Sequence, residues 1–279
     1  MKRIKRTSIL LAVVLSLALL LSACANTTSG STPTSSTTES VTNEDSLQRV
    51  LDAGKITVIG SGGYPPFNYF DEDGNVVGFD VDVGAEIARR LGVELDYITG
   101  DWDGLTEGLR NKRFDGILGS MAITDERLEI VNFTVPYYYS GAQLIVRADS
   151  GITDPSEMEG KAIGVVTGTN FVGDAESLNA EVRLYQDDNA TLMDLINGRI
   201  DGVITDRLVG LGAIGEIAGG EDLILVGNIL RLEQMGIALN KDDESLLAKI
   251  NAILLDMHMD GTLKAISEKW HDGADITVK

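Results

Sequence analysis

Short runs of β-branched and apolar residues alternate with longer stretches in which apolar residues recur at helical spacing. Residues 56–59 and 94–98 have the composition of strands, and residues 81–91 between them place apolar side chains on one face of a helix. Asp80 can cap the start of this helix and Gly92 can end it. Strands that alternate with helices in this way predict an α/β fold.

Acidic and amide side chains alternate shortly after the first predicted strand, as they do in a calcium-binding loop. The spacing of Asp71, Asp73 and Asn75 would require glycine at Val76 and a bidentate glutamate at Asp82, and neither is present. An Asp-Gly pair between apolar runs is instead a strong signal for a β-hairpin. The sequence therefore predicts a hairpin here.

A weak internal repeat relates LRNKRFDGILGS (109–120) to LINGRIDGVITD (195–206), with five of the twelve positions identical. In each copy an amphipathic helix ends in a polar turn and leads into a buried strand whose last residue is polar. Ligands of open α/β sheets bind beyond the carboxyl ends of strands, so Ser120 and Asp206 could face each other across a cleft. A chance recurrence of a common helix-turn-strand pattern accounts for the twelve residues equally well.

The N-terminus has the features of a secretory signal peptide over residues 1–23. Four cations precede an apolar run at 9–21, which is shorter than the about 20 residues that a membrane-spanning helix needs. The run ends in Leu-Ser-Ala before Cys24, which resembles the lipobox of bacterial lipoproteins. Cys24 is the sole cysteine of the chain, so we expect it to carry a lipid anchor rather than a disulfide. Residues 24–45 are rich in Ser and Thr, which predicts a flexible tether.

Charge and histidine content exclude other classes of function. The chain has 23 basic and 43 acidic residues, and four of the basic ones lie in the signal peptide. Such an acidic surface repels phosphates, which argues against a nucleic acid partner. Cys24 and the two histidines, His258 and His271, lack the spacing of metal ligands, so we expect neither a metal nor a cofactor.

Eight short motifs follow one another along residues 47–270, and their order and spacing are together highly specific. They are YPPF (64–67), GFDVD (78–82), WDGL (102–105), ITDER (123–127), PYYYSG (136–141), GT (168–169), GRID (198–201) and DGTL (260–263). With these motifs the chain resembles the polar amino-acid family of substrate-binding proteins that serve ABC importers, solute-binding protein family 3.

The resemblance implies a two-lobe, type II periplasmic-binding-protein-like fold whose lobes are joined by two hinge strands. Lobe 1 would comprise residues 46–140 and 237–279, lobe 2 residues 144–233, and the hinges would lie near 141–143 and 234–236. It further implies a monomer outside the cytoplasm that binds a free amino acid and delivers it to an ABC transporter permease in the membrane.

An amino-acid zwitterion needs a cation for its carboxylate, an anion for its ammonium and a wall for its side chain. Thr124 is placed to cap a helix, which puts Arg127 in the first turn, where the helix dipole disfavours a cation. Arg127 therefore needs an anion, either its acidic neighbours or a ligand. The resemblance assigns Arg127 to the ligand carboxylate and Asp206 to the ammonium, although Asp206 could also cap a helix or pair with Arg207.

The resemblance implies three further groups of contacts. Backbone N–H groups donate to the carboxylate, oxygens accept from the ammonium or line the side-chain pocket, and aromatic rings form the wall of that pocket. The backbone donors are at Ala122, Thr169 and Asn170. The oxygens and pocket positions are at Gly119 and Ser120. The aromatic rings are those of Tyr64 and Trp102.

Two positions bear on the choice of ligand. Ser61 stands where family members that bind basic side chains carry an acidic residue, and Ala122 lacks the hydroxyl that many members have there. No further basic residue is evident among the matched positions, which disfavours acidic amino acids. The sequence therefore favours a neutral polar amino acid.

Two alternatives remain beside a transport protein. An exported enzyme on the same fold, similar to cyclohexadienyl dehydratase, would need a general acid or base in the cleft, and both histidines lie away from the matched site. A ligand-sensing module would need a membrane span and an output domain after Trp270, and nine residues follow it. We therefore expect a binding protein and not an enzyme.

Overall fold

The computed structural model describes residues 45–279. The predicted signal peptide, the predicted lipidation site Cys24 and the predicted tether up to residue 44 lie outside the described residues. Over the described part of the chain, no helix combines the length and the hydropathy needed to cross a lipid bilayer.

Helices and short strands alternate through the described residues, as the hydrophobic pattern predicts. The helices are α1 (Ser46–Ala53), α2 (Phe79–Leu91), α3 (Leu105–Arg110), α4 (Asp125–Ile130), α5 (Phe171–Ser177), α6 (Asp188–Ile196), α7 (Arg207–Glu216), α8 (Glu244–Met259) and α9 (Thr262–Trp270). The strands are β1 (Lys55–Gly60), β2 (Gly63–Tyr64), β3 (Asn68–Phe70), β4 (Val76–Val77), β5 (Glu94–Thr99), β6 (Gly116–Ile117), β7 (Asn132–Phe133), β8 (Tyr138–Arg147), β9 (Ala162–Val166), β10 (Glu181–Tyr185), β11 (Gly202–Asp206), β12 (Leu223–Met235) and β13 (Ala238–Leu239).

The first sheet has the strand order β5-β1-β6-β13-β7. Strand β1 pairs in parallel with β5 and β6, and β13 pairs antiparallel with β6 and β7. Helix α2 packs on β1 and β5, and α8 packs on α1 and α2. Their apolar faces form one core, in which Ile56, Val83 and Leu254 are almost fully buried. The C-terminal helices thus complete the core of the first sheet.

The second sheet has the strand order β10-β9-β11-β8-β12 and a separate core. Strand β9 pairs in parallel with β10 and β11, whereas β8 lies antiparallel between β11 and β12. Two sheets with their own cores confirm the predicted two-lobe α/β fold. Strands β8 and β12 include most of the positions predicted as hinges. Those positions and the predicted lobe limits stay predictions.

One local prediction at helix α2 is wrong and two nearby are confirmed. The helix begins at Phe79, so Asp80 lies inside its first turn, where the side chain is buried and does not cap the helix. Gly92 ends the helix as predicted, in the left-handed conformation with φ of +78°. The predicted hairpin forms between β3 and β4, with Gly74 at φ of +82° in its turn.

Candidate functional site

The loop after β6 carries Gly119 and Ser120 into the cleft between the two sheets. A Cβ atom at Gly119 would lie 3.0 Å from Gly60 Cα, which leaves little room for any other residue. Ser120 has the left-handed φ of +59°, which is costly for a residue other than glycine. Its N–H donates to the Tyr137 hydroxyl at 3.1 Å. The loop is therefore held by contacts with residues distant in sequence.

The buried carboxylate of Asp80 anchors the same loop. It accepts hydrogen bonds from the Ser120 hydroxyl at 3.0 Å, the Tyr137 hydroxyl at 2.6 Å and Asn68 Nδ2 at 2.8 Å. Burial raises the pKa of Asp80 to about 7, although these three hydrogen bonds act in the opposite direction. The first turn of α2 is in this way connected to the floor of the cleft.

Arg127 extends from helix α4 into the cleft. The Thr124 hydroxyl accepts a hydrogen bond from the Arg127 N–H at 3.2 Å, which confirms the predicted helix cap. The guanidinium donates to the Ala122 carbonyl at 3.0 Å and lies 5.6 Å from the centre of the Trp102 ring. Burial lowers the pKa of Arg127, and among residues 45–279 no carboxylate lies within ion-pair distance of it. A partly buried cation without such a carboxylate partner can bind an anion.

The second lobe faces Arg127 with the loop after β9. Thr169 Oγ1 donates to the Val166 carbonyl at 2.7 Å, and Asn170 directly precedes helix α5. The Gly168 carbonyl accepts a hydrogen bond from Trp102 Nε1 of the first lobe at 3.3 Å. The two lobes are therefore in contact at this edge of the cleft.

Tyr64 and Ser61 line the other side of the cleft. The Tyr64 ring stacks on Phe67 with 5.6 Å between ring centres. Burial raises the pKa of its hydroxyl well above 10. The Ser61 hydroxyl donates to Asn68 Oδ1 at 3.2 Å. An aromatic wall and a small polar group thus lie on one side of the cleft.

These side chains line one cavity between the lobes. A concave site between lobes, lined by aromatic rings and a few polar groups, is typical of small-molecule binding. Nine of the ten residues predicted for the ligand site line it: Ser61, Tyr64, Trp102, Gly119, Ser120, Ala122, Arg127, Thr169 and Asn170.

Asp206, the tenth, is fully buried next to the cavity and is not part of its lining. Its Oδ1 accepts hydrogen bonds from the Ser140 hydroxyl at 2.8 Å and from the Leu208 N–H at 2.7 Å, so the side chain does cap helix α7. Its Oδ2 has no hydrogen-bond partner within the described residues. Burial, and then the nearby Glu233 carboxylate, raise the pKa of Asp206 to about 7.

Three carboxylates of the cavity lining were not predicted from the sequence: Asp187, Asp188 and Glu233. Asp187 caps helix α6, and buried Asp188 accepts a hydrogen bond from the Thr205 hydroxyl. Burial raises the pKa of Asp188 to about 6. Asp187 is the N-cap of α6 and Asp188 is its first residue, and two acidic residues at a helix start are a detectable sequence signal. Glu233 lies within a strand and has no comparable signal.

The histidines and acidic residues do not assemble a metal centre in the described chain. No group of three or more histidine, cysteine, aspartate or glutamate side chains there has a metal-binding arrangement. His271 packs 5.2 Å from the Phe67 ring centre, and His258 Nε2 lies 3.3 Å from the Pro136 carbonyl oxygen. Neither lines the cavity.

Comparison with known proteins places this geometry in a family. Residues 56–273 match the family model of bacterial extracellular solute-binding proteins, family 3. The L-cystine-binding protein TcyJ of Escherichia coli (strain K12) is 36% identical over 245 residues, which cover 85% of this chain and 90% of TcyJ.

Two solved structures have a similar fold. A mutant of ArgBP from T. maritima has a TM-score of 0.77 and 34% identity, over 81% of this chain and 99% of that one. The ancestral amino acid-binding protein AncCDT-1, a precursor of cyclohexadienyl dehydratase, has a TM-score of 0.76 and 28% identity, again over 81% and 99%. The chain therefore belongs to the bacterial extracellular solute-binding proteins of family 3.

Proposed function

We propose that this protein captures a free amino acid between its two lobes and delivers it to an ABC transporter permease. One observation carries the proposal: Arg127 and the Thr169–Asn170 loop, from opposite lobes, line a single cavity that also contains carboxylates. The carboxylate of an amino acid can bind to Arg127 and the loop, and its ammonium group can bind to the carboxylates. Oppositely charged partners in a water-poor cleft bind a zwitterion more strongly than they would in water.

A neutral polar side chain is the proposed ligand preference. Arg127 is the one cationic side chain in the described lining, and the α-carboxylate would occupy it, which leaves no cation for an acidic side chain. Ser61 and Tyr64 offer a hydroxyl and an aromatic wall, without a charge at those two positions.

A thermal-shift screen of the purified mature protein tests both statements. The panel should include the twenty amino acids and L-cystine. A ligand at 100 times its Kd stabilises the folded state by about 2.7 kcal/mol, which raises the Tm measurably. We expect the largest rise with a neutral polar amino acid. A larger rise with L-arginine or L-cystine would overturn only the preference, whereas no rise with any member would overturn the function.

A catalytic role is the second candidate, because a similar structure belongs to a dehydratase precursor. Asp188 lines the cavity and burial raises its pKa to about 6, which is a property that general acids share. Mass spectrometry separates the two roles. We expect the tightest-binding amino acid to be recovered unaltered after long incubation, and catalytic loss of it would favour the enzyme.

Lipid anchoring at Cys24 is part of the proposal for the exported protein. Diacylation holds a protein at a membrane far more firmly than one acyl chain does. Replacing Cys24 with Ala should therefore move the protein from the membrane fraction to the soluble fraction in a detergent-free separation. Ser22→Ala, which alters a neighbour of the cysteine but keeps the thiol, is the control. Retention of the Cys24→Ala protein in washed membranes would contradict the anchor.

A further inference from the structure

Two buried carboxylates, one in the cavity lining and one beside it, each have one oxygen without a hydrogen-bond partner among residues 45–279. They are Asp206 Oδ2 and Glu233 Oε2, on residues whose exposed fractions are 0% and 4%. A buried charged oxygen without a partner costs more than an ordinary polar group, because it loses its hydration without compensation. Such a pair indicates that a hydrogen-bond donor belongs between them.

The second sheet brings the two carboxylates to the same place. Glu233 on β12 is paired with Ser140 on β8, and Asp206 on β11 is paired with Ala142 on β8. Ser140 and Ala142 are two residues apart on one strand, so all four side chains lie on the same face of the sheet. The Ser140 hydroxyl donates to Asp206 Oδ1 at 2.8 Å, and the Glu233 charge contributes to the raised pKa of Asp206.

Contacts on its other oxygen hold Glu233 in position. Oε1 accepts from Asn170 Nδ2 at 2.5 Å and from Arg231 Nη1 at 2.7 Å. Arg231 is held in turn by two hydrogen bonds to Asp174, at 3.1 and 2.7 Å. Glu233 also lines the cavity. The carboxylate is thus fixed by its own lobe through one oxygen, while the second oxygen remains for another donor.

We propose that Glu233 forms, together with Asp206, a two-carboxylate site for the ligand's primary ammonium group. An ammonium has three N–H donors, so it can bind both buried oxygens and keep one donor for a third acceptor. This inference rests on the proposed amino-acid binding function and adds a second anion to it. Asp206 alone would leave the Glu233 oxygen unpaired.

Ligand binding is then coupled to release of a proton. Burial raises the pKa of Asp206 to about 7, so a large fraction of this carboxyl binds a proton at slightly acidic pH when no ammonium occupies the site. The ammonium takes the place of that proton, and the affinity therefore falls as the pH falls below about 7.

Other titratable groups face Asp206, and their contributions to the pH dependence of binding must be distinguished from that of Asp206. Tyr64 and Tyr138 lie nearby, and burial raises the pKa of both well above 10, so they stay neutral in this range. Asp188 faces Tyr64, and its pKa of about 6 falls in the same pH range. The comparison of wild type with a Glu233 variant isolates the contribution of the carboxylate pair.

Calorimetric titration of full-length mature protein tests the site, with L-glutamine, L-arginine and L-cystine as probes. Each titration is run at about pH 6.5 in phosphate and in imidazole, whose ionisation enthalpies differ, so that the difference in heat reports proton release. For whichever probes bind, Glu233→Gln should weaken binding at least about tenfold. It should also release fewer protons than wild type. Glu181→Gln makes the same chemical change in an exposed ion pair with Arg183 at 2.7 Å in the second lobe, so it is the matched control and should bind within about threefold of wild type.

Each other outcome contradicts the inference in a recognisable way. Wild-type or tighter binding by folded Glu233→Gln protein would remove Glu233 from the site and leave the proposed function standing. Equal losses in Glu233→Gln and Glu181→Gln, or weaker binding with unchanged proton release, would show a packing role. If neither these probes nor any other member of the amino-acid panel binds the wild-type protein, the proposed function fails, and the inference fails with it.

Discussion

Arg127→Ala is expected to weaken amino-acid binding by roughly 30-fold to several thousand-fold while the protein stays folded. Removal of one partner from a buried charge pair costs about 2 to 5 kcal/mol, because the remaining charge is desolvated and unpaired. Each 1.4 kcal/mol or so is a factor of ten in Kd. The guanidinium donates to the Ala122 carbonyl and lies over the Trp102 ring, so its removal costs the first lobe one hydrogen bond and one ring contact.

Two further substitutions sharpen this experiment. Arg127→Lys keeps the charge but loses the planar fork that binds a carboxylate through two N–H groups, so we expect an intermediate loss. Arg110→Ala, which breaks an exposed ion pair with Glu107 at 3.0 Å, should bind as wild type does. Wild-type affinity in folded Arg127→Ala protein, measured by calorimetry, would show that the carboxylate binds elsewhere.

Asp206→Asn is expected to produce a loss of the same size for every amino acid. The substitution keeps an oxygen for the Ser140 hydroxyl and the Leu208 N–H but removes the negative charge opposite the ammonium. The loss should therefore not depend on the amino acid side chain.

The same substitution should not destabilise the ligand-free protein at neutral or alkaline pH. Because burial raises the pKa of Asp206 to about 7, the folded state binds its proton more tightly than the unfolded chain does. That contribution to stability is complete below the ordinary pKa of an aspartate and is lost as the pH rises through about 7. Asparagine never ionises and avoids this loss, so Asp206→Asn should melt no lower than wild type at about pH 8.

Asp154→Asn is the control for the capping contact. Like Asp206, Asp154 accepts a backbone N–H at a helix start, here that of Ser156 in the 3-10 helix Pro155–Met158, but it is exposed. It should leave binding unchanged. Unfolding of Asp206→Asn at about pH 8 would show that the charge of Asp206 serves the fold, and unchanged affinity in folded protein would remove it from the ammonium site.

Much of the candidate site could be predicted because its residues lie in short motifs at loops and helix starts. The Thr124 cap and the position of Arg127 follow from local hydrogen-bonding preferences, and the structure confirms the cap. Gly92 ends its helix for the equally local reason that glycine adopts a positive φ without strain. In these cases neighbouring residues supply the decisive interactions.

Asp80 and Glu233 show where local patterns fail. Asp80 stands close to a predicted helix start, where an aspartate usually caps, yet it is buried and accepts hydrogen bonds from Ser120 and Tyr137. Glu233 looks like any charged residue of a strand. Its burial results from β8, β12 and the start of α5 packing around it.

By itself the sequence determined the α/β element order, and its family resemblance identified nine of the residues that line the cavity. The tertiary structure alone decided which oxygens of residues 45–279 are buried without a partner there. It also decided that Asp206 lies beside the cavity rather than in its lining, and that Glu233 lies close to Asp206. The reason is physical. Helix caps and turns depend on residues a few positions apart, whereas desolvation and the coupling of charges depend on strands that are distant in sequence and meet only in the folded protein.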